Sequence, residues 1–207
     1  ERIGVAVGAN GTILRTTTGG ATWETVSSGT KHWLEDVKFF DETNGVIVGD
    51  RGTILLTANA GETWETIKLG ATENLYAMGV ADAKTAYVVG SSGIIFRTAD
   101  AGKTWKDQES PIRSNLFAVS VLDVNNVVAV GDLGTVVYTD NGSKWSVQHS
   151  ATSKLLQAIV YRGGSKLWLG GRGGTIIRRT EPLSPSLLNW PKSPPVLIRN
   201  SGKARPQ

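Results

Sequence analysis

The sequence predicts an all-β protein, a β-propeller with four-stranded blades of about 41 residues, and three observations carry that reading. The first is a repeat. Five segments align, GVAVGANGTILRT from Gly4, GVIVGDRGTILLT from Gly45, AYVVGSSGIIFRT from Ala86, VVAVGDLGTVVYT from Val127 and LWLGGRGGTIIRRT from Leu167, with spacings of 41, 41, 41 and 40 residues. The second is the turn chemistry: 25 glycines, spread along the 207 residues rather than clustered, mark many tight turns and therefore many short strands. The third is a tryptophan recurring after a polar turn, in TWETV, TWETI, TWKDQ and KWSV.

Within one period the elements follow in a fixed order. An apolar-rich segment comes first, LEDVKFF at 34–40, LYAMGVA at 75–81, LFAVSVL at 116–122 and LQAIVYR at 156–162. A β-branched strand ending in glycine follows, then a two-residue turn and a strand opening with Gly-Thr-Ile or a close variant. The pairs Asn10-Gly11, Arg51-Gly52 and Gly173-Gly174 supply the positive φ that tight hairpins require. A polar turn and the Trp-led strand close the period. Four short antiparallel strands in this length describe one propeller blade.

The polar turn carries an Asp-box motif. Residues 98–105, Thr-Ala-Asp-Ala-Gly-Lys-Thr-Trp, match Ser/Thr-x-Asp-x-Gly-x-Thr-Trp in full, whereas Asn59 and Thr18 replace the aspartate in two other copies. In the copy at 139–145, one residue shorter, Asp140 is displaced. A short acceptor side chain here caps backbone N–H groups, and the Trp packs between sheets, so Trp23, Trp64, Trp105 and Trp145 are expected in the core. Calcium needs six to eight oxygens, and each turn offers one carboxylate at most.

Five blades are expected over residues 1–180, two of them incomplete. The first lacks its innermost strand and the fifth its Trp-led outer strand, which a segment upstream of Glu1 could supply. A propeller closes on itself to remove its sheet edges, so the chain reads as the C-terminal part of a longer propeller, with a five-bladed ring short of two strands as the alternative. Residues 181–207 hold six of the seven prolines and read as a Pro-rich, basic, extended tail in which Trp190 could replace the missing indole. That tail is expected to lie along a partner protein.

Composition narrows the function. There is no cysteine and there are two histidines, which leaves no thiolate chemistry and no His-rich metal cluster. The formal net charge is +4, of which +3 falls in residues 181–207, so the folded body lacks the basic stripe that nucleic acid requires. No apolar run approaches the roughly 20 residues that span a bilayer as a helix.

The repeat G-x-x-V-G-x-x-G-T-I-L-x-T-x-x-x-G-x-T-W resembles the photosystem II stability and assembly factor family of Asp-box (BNR-type) propellers, and KLLQAIVYRGGSKLWLGGRGGTIIR at 154–178 is similar to that family's last blade. The resemblance covers roughly residues 4–180. It implies a seven-bladed ring, a periplasmic or thylakoid-lumen location, and chaperone-like binding of new photosystem II subunits. The proline-rich tail departs from the pattern.

Blade geometry places the loops between blades and the second-to-third-strand hairpins on one face, with the Asp-box turns opposite. The first face carries the candidate partner-binding residues Arg51, Arg172, Lys31, Trp33, Arg113 and Lys154, together with His32 and Asn115, against the acids Asp50, Glu73 and Asp132. Arg51 and Arg172 read as equivalent turn positions, and Trp33 reads either as an apolar anchor or as a buried strand start. The expected function is a non-catalytic scaffold that docks on a membrane protein complex, with no cofactor. A bacterial surface or adhesion propeller is the alternative, and a sialidase-like glycosidase a remoter one. The tyrosines lie on strands and no pair of carboxylates reads as an acid and a nucleophile.

Overall fold

The computed structural model describes residues 2–148, 150–179 and 181–183, and the backbone of 196–197. Five antiparallel sheets follow one another along the chain. The first is three-stranded: β1 (Gly4–Val7), β2 (Ile13–Thr16) and β3 (Glu24–Val26). The second contains β4 (Leu34–Phe39), β5 (Gly45–Gly49), β6 (Thr53–Thr57) and β7 (Glu65–Ile67), and the third β8 (Leu75–Val80), β9 (Ala86–Gly90), β10 (Ile95–Thr98) and β11 (Lys106–Asp107). The fourth contains β12 (Leu116–Val121), β13 (Val127–Gly131), β14 (Val136–Thr139) and β15 (Ser146–Gln148). The fifth contains β16 (Leu156–Tyr161), β17 (Leu167–Gly171), β18 (Thr175–Arg178) and β19 (Val196–Leu197). Each sheet is an uninterrupted meander, and the contacts between sheets concentrate on the first strands, β4 with β8, β8 with β12 and β12 with β16. That is the radial arrangement of propeller blades.

The core is four apolar layers, one between each pair of neighbouring blades. Strand alternation explains the layers, because successive side chains point to opposite faces. On β5, Val46 and Val48 face the third blade, whereas Ile47 faces the first. Both faces of the middle blades are covered, so β5, β9 and β13 are buried along their whole length. Each buried Leu, Ile or Val there contributes about 1.5–3 kcal/mol.

The indoles follow the same logic with one correction. Trp64, Trp105 and Trp145 each pack back onto the preceding blade: Trp64 against the layer with Val5 and Val7, Trp105 beside Phe40 and Val46, and Trp145 edge-to-face with Tyr87 at 6.0 Å. Trp145 is buried, and Trp64 and Trp105 are half-buried. Trp23, expected in the core, is 45% exposed, because no sheet lies before the first blade among the described residues. The outer face of the fifth blade is the counterpart, leaving Val160, Trp168 and Ile176 exposed.

The fifth blade corrects a second expectation. Its outer strand is not left to another segment: β19 pairs antiparallel with β18, Ile177 opposite Leu197 and Arg178 opposite Val196. Arg179 follows directly on β18. Its side chain is half-buried and donates to the carbonyls of Glu181 and Pro182, at 2.9 and 3.4 Å, and Leu183 joins the layer between the fourth and fifth blades. Leu183 and Val196–Leu197 thus pack on or pair with the propeller itself; Trp190 and the rest of the tail lie outside the described residues.

Candidate functional site

The two faces of the propeller are built from different turns. On one face the Asp-box turns meet the hairpins joining first to second strands, through Ala60 N–H to Thr43 O, Ala101 N–H to Lys84 O and Gly142 N–H to Asn125 O. A buried threonine hydroxyl organises each Asp box: Thr57 and Thr98 accept the N–H groups of Gly61 and Gly102 at 3.0 Å. The next acceptor varies. Thr18 accepts from Thr22 N–H, Asn59 from Thr63 N–H and Asp100 from Thr104 N–H, all within 3.0 Å. In the short copy the acceptor is Asn141, which takes the N–H groups of Ser143 and Lys144, and Asp140 is exposed beside it. Because Thr and Asn serve as well as Asp, the position requires a short acceptor and not a carboxylate, which assigns it to turn architecture.

A second aspartate series on this face went unnoticed in the sequence, although it repeats at the same period. Asp41, Asp82 and Asp123 each cap two backbone N–H groups in the first hairpin of their blade, those of Thr43 and Asn44, Lys84 and Thr85, and Asn125 and Asn126. The N–H groups hold the carboxyls of Asp41 and Asp82 below the usual range.

The opposite face carries the candidate partner-binding residues. Its turns have two consecutive residues at positive φ: Asn10-Gly11, Arg51-Gly52, Ser92-Gly93, Leu133-Gly134 and Gly173-Gly174. Arg51, at φ 55°, is therefore held in a left-handed conformation that glycine adopts freely. The glycine after it has no alternative, since a Cβ on Gly52 would stand 2.2 Å from the carbonyl oxygen of Ala71. Arg172 lies one residue earlier in its turn than Arg51. The two are not equivalent; Arg172 stands where the second and fourth blades have Asp50 and Asp132.

The cations divide into groups. Arg51 and His32 line a groove of about 430 Å³ that also includes Thr30 and Lys68, with Lys31 exposed beside His32. Lys154 extends over Gly173, next to Arg172. Arg113 is exposed between these groups, in the loop leading to the fourth blade. Among the described residues, none of Lys31, Arg51, Arg113, Lys154 and Arg172 forms an ion pair. Two of the three acids are used inside the loops: Glu73 accepts Thr72 N–H at 3.0 Å, and Asp132 accepts Asn115 Nδ2–H at 3.0 Å. Glu35 and Glu109 are also exposed at this face, so five exposed cations stand against two exposed acids, with Asp50, Glu73 and Asp132 half-buried.

Trp33 is 53% exposed and lies just before β4. The equivalent residues of the next two blades are asparagines that accept a turn N–H of the preceding blade, Asn74 from Arg51 and Asn115 from Ser92, each at 3.0 Å. An indole cannot accept such a bond, and Trp33 projects instead. Leu133, 75% exposed at φ 54°, adds a second apolar group to this face that the sequence pattern hid, because it occupies a turn position usually filled by polar residues.

The family model described as photosynthesis system II assembly factor YCF48 matches residues 1–196. The chain belongs to that family. The match extends the expected span beyond residue 180, into the proline-rich segment that supplies β19. YCF48 from Cyanidioschyzon merolae superimposes with a TM-score of 0.72 at 23% identity, over 96% of this chain and 68% of that one. A structure of YCF48 bound to D1 peptide aligns at a TM-score of 0.46 and 19% identity, over 87% of this chain and 75% of that one. An ancestral GH74 enzyme shares the fold, with a TM-score of 0.66 at 12% identity, over 89% of this chain and 26% of that one. No curated protein matches by sequence. The YCF48-family assignment identifies this propeller as an assembly factor of photosystem II, a protein-binding scaffold, and no helix among the described residues is long and apolar enough to cross a membrane.

Proposed function

We propose that the basic face of this YCF48-family propeller, formed by Lys31, Arg51, Arg113, Lys154 and Arg172 with Trp33 as apolar anchor, binds an acidic, non-membrane segment of a photosystem II subunit during assembly, on the lumenal or periplasmic side of the membrane. The observation that carries this reading is the imbalance of that face: five exposed cations stand without an ion pair among the described residues, against two exposed acids, Glu35 and Glu109, while Glu73 and Asp132 are half-buried and hydrogen-bonded. Unpaired cations give a partner long-range attraction and lose little on binding, because no existing pair has to be broken. The protein does this without catalysis; the one carboxylate among its Asp-box acceptors, Asp100, caps a turn.

The test is binding of a fluorescently labelled D1 peptide to the 207-residue chain, followed by anisotropy over a range of salt. Arg51→Gly combined with Arg172→Ser is expected to weaken binding at least about tenfold and to flatten its salt dependence. Unchanged affinity in the double variant would place the binding site elsewhere on the propeller.

A further inference from the structure

The innermost strands share an irregularity that the sequence does not advertise. In each four-stranded blade the pairing of first and second strands shifts by one residue near the basic face: between Leu34 and Asp36, Leu75 and Ala77, Leu116 and Ala118, and Leu156 and Ala158. The extra residues are Glu35, Tyr76, Phe117 and Gln157. The bulge arises because the loop backbone crosses over the glycine ending the second strand. The carbonyl oxygens of Trp33, Asn74, Asn115 and Leu155 lie about 2 Å from where a Cβ would stand on Gly49, Gly90, Gly131 and Gly171. Bulges of this kind re-aim a side chain, and here the same position is re-aimed in four consecutive blades.

Two of the four are aromatic, and they meet. Tyr76 and Phe117 stack with ring centroids 5.1 Å apart and planes 24° from parallel, both half-buried. Among the described residues the Tyr76 hydroxyl makes no hydrogen bond, in contrast to Tyr87 and Tyr138, whose hydroxyls are bonded to Val124 O and Asn126 Oδ1. The pair lies close along the chain to the loops that carry two of the cations. Asn74, which holds the Arg51 turn, is two residues from Tyr76, and Arg113 is four residues before Phe117. Partial burial, and then the charge of Asp50, raise the pKa of Glu35, the bulge residue of the preceding blade, so a peptide's carboxylates belong on the Arg113 side and at the Arg51 turn and not beside Glu35.

We propose that the Tyr76–Phe117 pair is the specificity-determining platform of the basic face: it receives one apolar side chain of an extended acidic peptide whose carboxylates lie on Arg51 and Arg113. This rests on the reading of the face as a peptide-binding surface and adds which peptides it selects. Charge complementarity commits the occupant, since Arg51 and Arg113, exposed and without an ion pair among the described residues, stand at the turn and in the loop next to the platform's two strands, and the platform carries a spare hydroxyl donor.

Two labelled peptides decide it by anisotropy against the 207-residue chain: a Gly-Ser-based peptide with several aspartates and one leucine, and the same peptide with serine in place of leucine. The native chain is expected to bind the leucine peptide about tenfold more tightly. Phe117→Ser is expected to abolish that preference while leaving the serine peptide's affinity and salt dependence unchanged, and Tyr76→Phe to keep most of it. Equal binding of the two peptides to the native chain, or a preference that survives Phe117→Ser, overturns the platform and leaves the basic face standing. Failure of both peptides to bind overturns the two readings together. If Phe117→Ser does not fold, judged by its circular dichroism, Tyr76→Ser takes its place, with loss of the leucine preference expected and its survival overturning the platform.

Discussion

Arg51 shows how much a single turn position carries. It pays a left-handed backbone cost of roughly 1–2 kcal/mol that glycine avoids, and the fifth blade places Gly173 at the same point. Arg51→Gly removes that strain but adds chain entropy of about 1 kcal/mol to the unfolded state, so stability is expected to stay within about 1 kcal/mol of the native protein. Gly52→Ala, one residue later, is expected to cost about 3 kcal/mol, because the new methyl meets the Ala71 carbonyl and φ is +66°. Chemical denaturation of the two variants checks both values. The first substitution therefore separates charge from fold, which makes it a clean probe of partner binding. At the Asp boxes the residue-scale lesson is different: Asp100, Asn59, Thr18 and Asn141 do one job with different chemistry. Burial alone would raise the Asp100 pKa, and the hydrogen bonds from Thr104 and Thr98 outweigh it.

At the scale of the element, the blade is held to its predecessor by one indole and by polar pegs. Arg15 reaches the second blade's turn through Ala60 O at 2.9 Å and Glu62 at 3.1 Å; Arg97 is at the same place in the third blade, where it donates to the Tyr87 hydroxyl at 3.0 Å. Tyr87 in turn contacts the fourth blade at Val124 O, 2.7 Å away. Arg178, the corresponding residue of the fifth blade, is exposed, which matches the open face on which it stands. The same substitution should therefore have unequal effects along the chain. Trp145→Ala is expected to destabilise by about 3–5 kcal/mol, since it empties a closed interblade layer. Trp23→Ala removes a half-exposed ring and is expected to cost about 1 kcal/mol. Equal losses in thermal or denaturant unfolding would show that the indoles do not act between blades.

At the scale of the whole molecule, the aspartate caps make stability depend on pH. Asp41, Asp82, Asp100 and Asp123 all have folded-state pKa values below those of free carboxyls. A carboxyl with a lowered folded pKa stabilises the fold above its unfolded value, near 3.9, and this contribution is lost as pH falls towards the folded value. The melting temperature is thus expected to hold from neutral pH down to about pH 5 and to drop below about pH 4. Asp82→Asn should shrink the drop, because asparagine can cap without titrating. An acid profile identical in native and Asp82→Asn proteins would remove Asp82 from this account. The proposed docking role draws on an asymmetry of the molecule: acids cap turns on one face, and cations without an ion pair among the described residues stand on the other.

Blade number, strand order and the positive-φ hairpins were legible in the chain itself, because a 41-residue repeat imposes the same local solution each time and local backbone preferences act over a few residues. The family was legible for the same reason. What remained hidden depends on which sheet lies beside which. Trp23 and Trp145 occupy the same motif, yet one is exposed and the other buried, because among the described residues Trp145 has a blade before it to pack against and Trp23 has none. Val196–Leu197, behind a run of prolines, becomes a strand only because β18 presents an open edge. The stacking of Tyr76 on Phe117 joins residues one period apart, and only the bulges that align them at one level of adjacent strands bring them together. Local chemistry repeats with the sequence; burial and encounter are properties of neighbours in space.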